Sequence, residues 1–207
     1  MGLKQEGPSG QIQEVDVRGR AHSDAVVRDD LAFATEHAEG FCFATADVSL
    51  TTANASNVFY LKNSYSDRNL VIPRKGLSVN CGLSTGGPGG DGALAEIIHN
   101  PTQGTLISGA TVLETKSALN MDPKAGIPSE LVGYVGAEGS TLTDGDDGFS
   151  MYIKDASRYD LECFLILPPG KAMAVKITPP ASNTAMNVRV VCQFNIQRRH
   201  AGQRESS

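Results

Sequence analysis

Residues 187–196 read Asn-Val-Arg-Val-Val-Cys-Gln-Phe-Asn-Ile, and the alternation in that stretch decides the fold class. Successive side chains of a strand point to opposite faces, so Val188, Val190, Cys192, Phe194 and Ile196 share one face and Arg189, Val191, Gln193 and Asn195 the other. A helix would scatter both sets around its circumference. The segment therefore predicts a half-buried antiparallel strand. Residues 171–178 (KAMAVKIT) repeat the pattern, with Met173, Val175 and Ile177 on one face. Earlier in the chain, short β-prone runs fall at 41–45, 48–51, 58–62, 69–72, 77–83, 93–99, 106–107, 112–114, 131–135 and 159–167. STGGPGGDG, NPTQG, TDGDDG, LPPGK and TPPASN stand between them as turn chemistry, and residues 116–130 read as an irregular crossing. Strands without intervening helices predict an all-β, antiparallel β-sandwich, jelly-roll-like body over residues 41–197.

The first forty residues read as an N-terminal arm. DAVVRDDLAFATEHAE (24–39) has the composition of a short helix stopped by Gly40, with Asp29 and Asp30 near its first turn. Its apolar stripe, Leu31, Ala34, His37 and Ala38, is too thin to hold a helix alone, so it is expected to pack on the body or on another subunit. The tail RRHAGQRESS (198–207) is polar, weakly basic and expected to be disordered.

Composition trims the function classes. The 207 residues include 22 glycines and 10 prolines, no tryptophan, and a net charge of −5, which gives no global attraction to phosphate backbones or anionic membranes. Neither nucleic acid nor membrane is an expected partner. MGLKQEGPSG lacks an apolar leader, and no run approaches the roughly 18 apolar residues of a membrane span. Cys42, Cys81, Cys163 and Cys192 lie singly in apolar stretches, which predicts small buried thiols; a disulfide would depend on folded distances that spacing does not give.

Several motifs match a chemistry in letters only. Gly82-Leu83-Ser84-Thr85-Gly86 fits the nucleophile elbow that would expose Ser84, but Gly87, Pro88, Gly89 and Gly90 follow where a helix must start. The only histidine beyond His99 is His200, in the tail. Gly87 to Gly92 fits the dinucleotide fingerprint, yet no βαβ unit encloses it. Asp144, Asp146 and Asp147 offer oxygens but miss the calcium-loop spacing, so a solvated turn is the expectation. His22, His37, His99 and His200 never pair at metal-ligand spacing, and His99 beside Asn100-Pro101 should end a strand. Phe59-Tyr60-Leu61-Lys62 reads as a core strand rather than a base-stacking platform. The absence of tryptophan weakens a glycan-binding reading, although tyrosine can serve the same purpose. No catalytic, cofactor-binding or metal residue is expected, and no enzyme activity.

The succession NVFYLKNSYSDRNLVI (57–72), CGLSTGGPGGDG (81–92), EIIHNPTQGTLISGATVL (96–113), GAEGSTLTDG (136–145) and LPPGKAMAVKITPPASNTAMNVRVVCQF (167–194) resembles structural proteins of tailed-bacteriophage particles. The likeness covers roughly residues 41–196 and consists of turn and strand motifs. It implies a β-sandwich body behind an N-terminal arm, a place in the virion, and a non-enzymatic role as a capsid decoration (cement) protein clamping major capsid subunits. The partners it implies are further copies of the chain in a homo-oligomer, a trimer being one form, and the major capsid protein or other virion proteins. The alternative is a tail, neck or baseplate subunit, including a host-glycan-binding module.

Overall fold

The computed structural model of the protein describes residues 3–6, 12–15, 39–82, 92–109, 111–113, 116–118, 128–153, 158–161, 164–181 and 185–198. The arm helix expected at 24–39 lies almost wholly outside them, as do Ser84 and the glycine loop, Cys163, His22, His37, His200 and the tail from residue 199. Near the start of the chain, β1 (Leu3–Glu6) and β2 (Ile12–Val15) pair antiparallel.

The body is an antiparallel β-sandwich. Its order is β3 (Gly40–Ala44), β4 (Val48–Leu50), β5 (Ser56–Asn63), β6 (Arg68–Ile72), β7 (Leu77–Cys81), β8 (Ala93–His99), α1 (Thr105–Ser108), β9 (Thr111–Val112), β10 (Lys116–Ala118), β11 (Leu131–Val135), β12 (Asp146–Ile153), β13 (Arg158–Leu161), β14 (Leu165–Leu167), β15 (Ala172–Thr178) and β16 (Met186–Arg198). The first sheet is built on β16. One side of that strand carries β4 and then β3, with β10 beyond β3; the other carries β7 and then β6, edged by β13 and β14. The second sheet runs β12-β8-β15-β5-β11-β9.

The alternation read in residues 187–196 is the core of this arrangement. Val188, Val190, Cys192 and Phe194 are fully buried, as are Met173, Val175 and Ile177 on the facing sheet, and all join one hydrophobic cluster between the two layers. Phe194 lies 6.1 Å from Phe41 in a stacked contact and 5.2 Å from Phe43 edge-on. Burying apolar side chains of this size stabilises by about 1.5–3 kcal/mol each relative to exposure, which offsets much of the chain entropy lost on ordering the strands.

Two partners flank each end of β16 because its neighbours are interrupted. Four residue steps from Ala44 to Val48 face three from Val191 to Val188, so one residue is extra and the strand bulges. Thr45 occupies the bulge: its amide donates to the Val190 carbonyl and its hydroxyl accepts from the Val190 amide, both at 2.9 Å. A side chain has replaced a ladder carbonyl. Since Thr45 is buried, Thr45→Val should leave the Val190 N–H unpaired and lower the unfolding free energy by about 1–3 kcal/mol, measured by urea denaturation. An unchanged midpoint would show that water or a backbone shift takes over.

Four features differ from the sequence reading. The start of the crossing expected to be irregular, Lys116–Ala118, is strand β10, because its backbone pairs with the free edge of β3. Residues 106–107, expected as a strand, form the single turn α1, because Gly104 and Gly109 bound the segment and the Gly104 carbonyl accepts from the amides of Ile107 and Ser108. The run 159–167 is two strands, β13 and β14, paired with β7 and β6 respectively. Residues 146–153, whose start reads as an Asp/Gly turn, form the edge strand β12.

Candidate functional site

The outer face of the second sheet carries a row with one residue from each strand: Asp147, Ile98, Ala174, Tyr60, Tyr134 and Val112. Tyr60 and Tyr134 stack at 5.5 Å. The loop after β8 folds back so that Leu106 of α1 seals against Tyr60, Ile98, Ala172 and Ala174, forming a small second core outside the sandwich. Burial pushes the Tyr60 hydroxyl's pKa up, and neighbouring Tyr134 and Asp144 add to the rise.

Two carboxylates fasten the loops around this core. Glu138 accepts from the amides of Thr51 and Thr52 at 2.7 Å and from their hydroxyls at 2.8 and 2.9 Å. Asp144 accepts from the amides of Thr102 and Gln103 at 2.9 Å and from the Thr102 hydroxyl. These hydrogen bonds, the Thr51 hydroxyl first for Glu138 and the Thr102 hydroxyl first for Asp144, hold both groups below the usual carboxylate range. A depressed pKa adds stability that is present above the unfolded carboxylate value and is lost as pH falls through the folded one. The urea midpoint should therefore stay flat from neutral pH to the ordinary carboxylate range and drop below it. Glu138→Gln together with Asp144→Asn should flatten that drop; an acid limb identical to wild type would remove these clamps from the account.

Beside the clamps, a cleft of about 210 Å³ opens between the β8, β15 and β5 row and residues 142–147. Asn57, Ile98, Leu142, Asp144, Asp147 and Lys176 line it. Lys176 Nζ lies 2.9 Å from Glu96 Oε2 and 3.9 Å from Asp147 Oδ1. Register explains the meeting, because Asn57 and Glu96 both pair with Lys176, from opposite sides of β15. Two buried asparagines of β5 differ instructively. Asn63 donates to the Arg68 and Leu167 carbonyls at 2.8 Å and accepts from the Tyr65 amide at 3.0 Å, tying the two sheets together. The amide oxygen of Asn57 has no hydrogen-bond partner.

A second opening, also about 210 Å³ but mainly apolar, lies at the lateral seam between β14 and β8/β15. His99 ends β8 as expected and lines this slot with Leu165, Ile166, Leu167 and Met173. Its Nε2 is buried without a partner, against the backbone of Gly148. Among the described residues, the slot's lining contains no serine, cysteine or carboxylate that could form an acid-base pair with it.

The acidic residues of TDGDDG take separate partners, although Asp144 and Asp147 both line the cleft. Asp144 turns onto the 102–103 loop, Asp146 opens β12, and Asp147 points toward Lys176. Among the described residues no group of three or more His, Cys, Asp or Glu is placed to hold a metal ion, and no helix is long and apolar enough to cross a membrane. Cys81 is a free buried thiol that burial pushes up to about 12, and half-buried Cys42 is also raised, by burial against an opposing pull from Arg189. Both are poor nucleophiles at neutral pH. No protein-family model matches the chain, and no curated protein is similar to it.

The large exposed apolar side chains among the described residues gather at sheet edges. Phe149 and Tyr152 are on β12, Phe164 and Ile166 on or beside β14, and Val112 on β9. Strand edges present unpaired backbone groups, and apolar side chains beside them favour contact with another chain.

Proposed function

We propose that the protein is a non-enzymatic structural component of a bacteriophage particle, acting as a capsid decoration protein that stabilises the head by contacts with major capsid subunits. The observation that carries this reading is the placement of Phe149 and Tyr152 on the edge strand β12, and of Ile166 on and Phe164 beside the edge strand β14, where a neighbour can cover them. The likeness of residues 41–196 to phage structural proteins points the same way. A rigid sandwich whose loops are fastened by Glu138 and Asp144 suits a part that must keep its shape while many weak contacts are multiplied by symmetry.

The test is the stoichiometry of the protein in purified particles. A copy number comparable with that of the major capsid protein supports the decoration role. A handful per particle moves it to the tail, neck or baseplate, and absence from particles overturns the virion reading altogether. Truncation then examines the arm. Because the Ile196 amide donates to the Glu39 carbonyl and β3 begins at Gly40, the cut belongs before residue 39. The shortened protein should unfold at the same temperature as the full chain and fail to enter particles; normal incorporation would remove the arm from the interface.

A further inference from the structure

We infer that two copies of the chain pair through β12, antiparallel about a two-fold axis at Ser150, so that their second sheets join edge to edge. β12 is eight residues long and, among the described residues, pairs only with β8. The other edge strands are blunted by shortness, since β9 has two residues, β10 and β14 three each, and β13 four. Of the devices that close a long edge, β12 has one bulge near its acidic start and neither proline nor lysine. It also exposes an aromatic ring on each side of Ser150-Met151, Phe149 at 44% and Tyr152 at 67%. The inference rests on the reading of β12 as a contact edge and names the neighbour that covers it.

The residues of the strand select a second copy, reversed. Asp146 and Asp147 stand at its start, so a parallel copy would set like charges side by side, whereas an antiparallel one carries them to opposite ends. Pairing about Ser150 sets Ser150 against itself, Phe149 against the second copy's Met151 and Gly148 against the second copy's Tyr152. Met151 packs on the core, and Phe149, two residues away, lies on the same side of the strand, so ring and thioether meet. Tyr152 points to the outer side, because Met151 and Ile153 beside it face the core. Gly148 has no side chain, and the ring of His99, two residues from core-facing Ile97, fills the space on its inner side. The outer side of the Gly148 backbone is thus open to a tyrosine ring. At 44% and 67% exposure the four rings of two copies offer on the order of 450 Å², and with the joined strands the interface stays below about 1,200 Å². An interface of that size gives a weak dimer, with a Kd of about 1–100 µM.

The experiment is sedimentation equilibrium of the full-length protein between about 1 and 300 µM. The wild type should pass from 21.8 kDa to twice that mass as its concentration rises. Ser150→Lys, at an exposed position, sets two ammonium groups against each other on the axis and should weaken the dimer about tenfold without lowering the thermal midpoint. Ser150→Cys examines the axis itself. Directly opposite residues of an antiparallel pair have Cα atoms about 4.5–5.5 Å apart, within disulfide reach, so diamide should convert this variant to a covalent dimer. Asp146→Cys is the control, because its two copies would stand about 27 Å apart along the strands and should cross-link no faster than wild type. A monomer throughout the concentration range, a trimer, a dimer unaffected by Ser150→Lys, or equal cross-linking at residues 146 and 150 overturns the inference. Abundant protein in particles together with a monomer in solution overturns the pairing and leaves the virion reading standing. A Ser150-centred dimer that is absent from particles does the reverse.

Discussion

Phe194→Ala should cost about 3–5 kcal/mol of unfolding free energy, a large fraction of the roughly 5–15 kcal/mol that holds a typical domain. Phe194 is fully buried in β16, the strand through which every neighbour in its sheet is organised, and its ring meets Phe41 and Phe43 at once. Truncation removes two aromatic contacts and opens a cavity between the sheets that the antiparallel ladders on both sides of β16 keep from closing. Arg189, on the opposite face of the same strand, is exposed, and Arg189→Ala should change stability by no more than about 0.5 kcal/mol. Equilibrium denaturation of the pair therefore tests the face assignment directly. A loss below about 1 kcal/mol at Phe194 would mean that the sheets do not pack through it.

The same alternation explains which parts of the fold can be read from residues alone. β8, β11 and β15 coincide with the expected 93–99, 131–135 and 172–178, because each is an inner strand of the second sheet and its short apolar run is bounded by turn chemistry; only β15 also shows a large apolar set, Met173, Val175 and Ile177, opposite small or polar residues. β12 leaves no such trace. It is an edge strand whose residues are exposed except Met151 and Ile153, and the step from Asp147 to Ser150 against Ile98 to Glu96 contains a bulge that breaks the period. Asp146-Asp147-Gly148 is turn chemistry by composition, and only pairing with β8 makes it a strand. Residues 106–107 mislead for the opposite reason: two apolar residues carry no period, and the flanking glycines decide the geometry.

The cleft was less accessible still. Asn57, Glu96 and Lys176 are far apart in the chain and meet only because β5, β15 and β8 are neighbours in a particular register. The one local signal is an asparagine at the start of an otherwise apolar run, and Asn63 at the end of that run is the same residue type with every bond satisfied. Sequence shows two asparagines; only three-dimensional accounting of donors and acceptors shows that both are buried and that one has every bond satisfied while the other keeps an unpaired oxygen.

Gly104→Ala should destabilise the protein by about 2–4 kcal/mol and undock the turn that carries Leu106. Gly104 has φ +132° and ψ 171°, a backbone conformation essentially confined to glycine. A methyl group there would also sit 2.3 Å from the Thr141 carbonyl oxygen and 2.7 Å from the Leu142 Cα, both backbone atoms that cannot rotate aside. Relief requires the loop to separate from residues 141–143, which breaks the Leu106 to Thr141 and Thr143 to Gln103 hydrogen bonds and draws Leu106 off Tyr60 and Ile98. Gly139 provides the control, because its φ is +75° and nothing lies within 4 Å of its would-be methyl group. Gly139→Ala should thus show left-handed strain alone, about 1–2 kcal/mol, and the excess at Gly104 measures the clash. Asp144 clasps the same loop, so Gly104→Ala combined with Asp144→Asn should cost less than the two single losses added together. Additive losses in that cycle would mean that the loop stays docked when Gly104 is replaced, and that strain alone accounts for the effect.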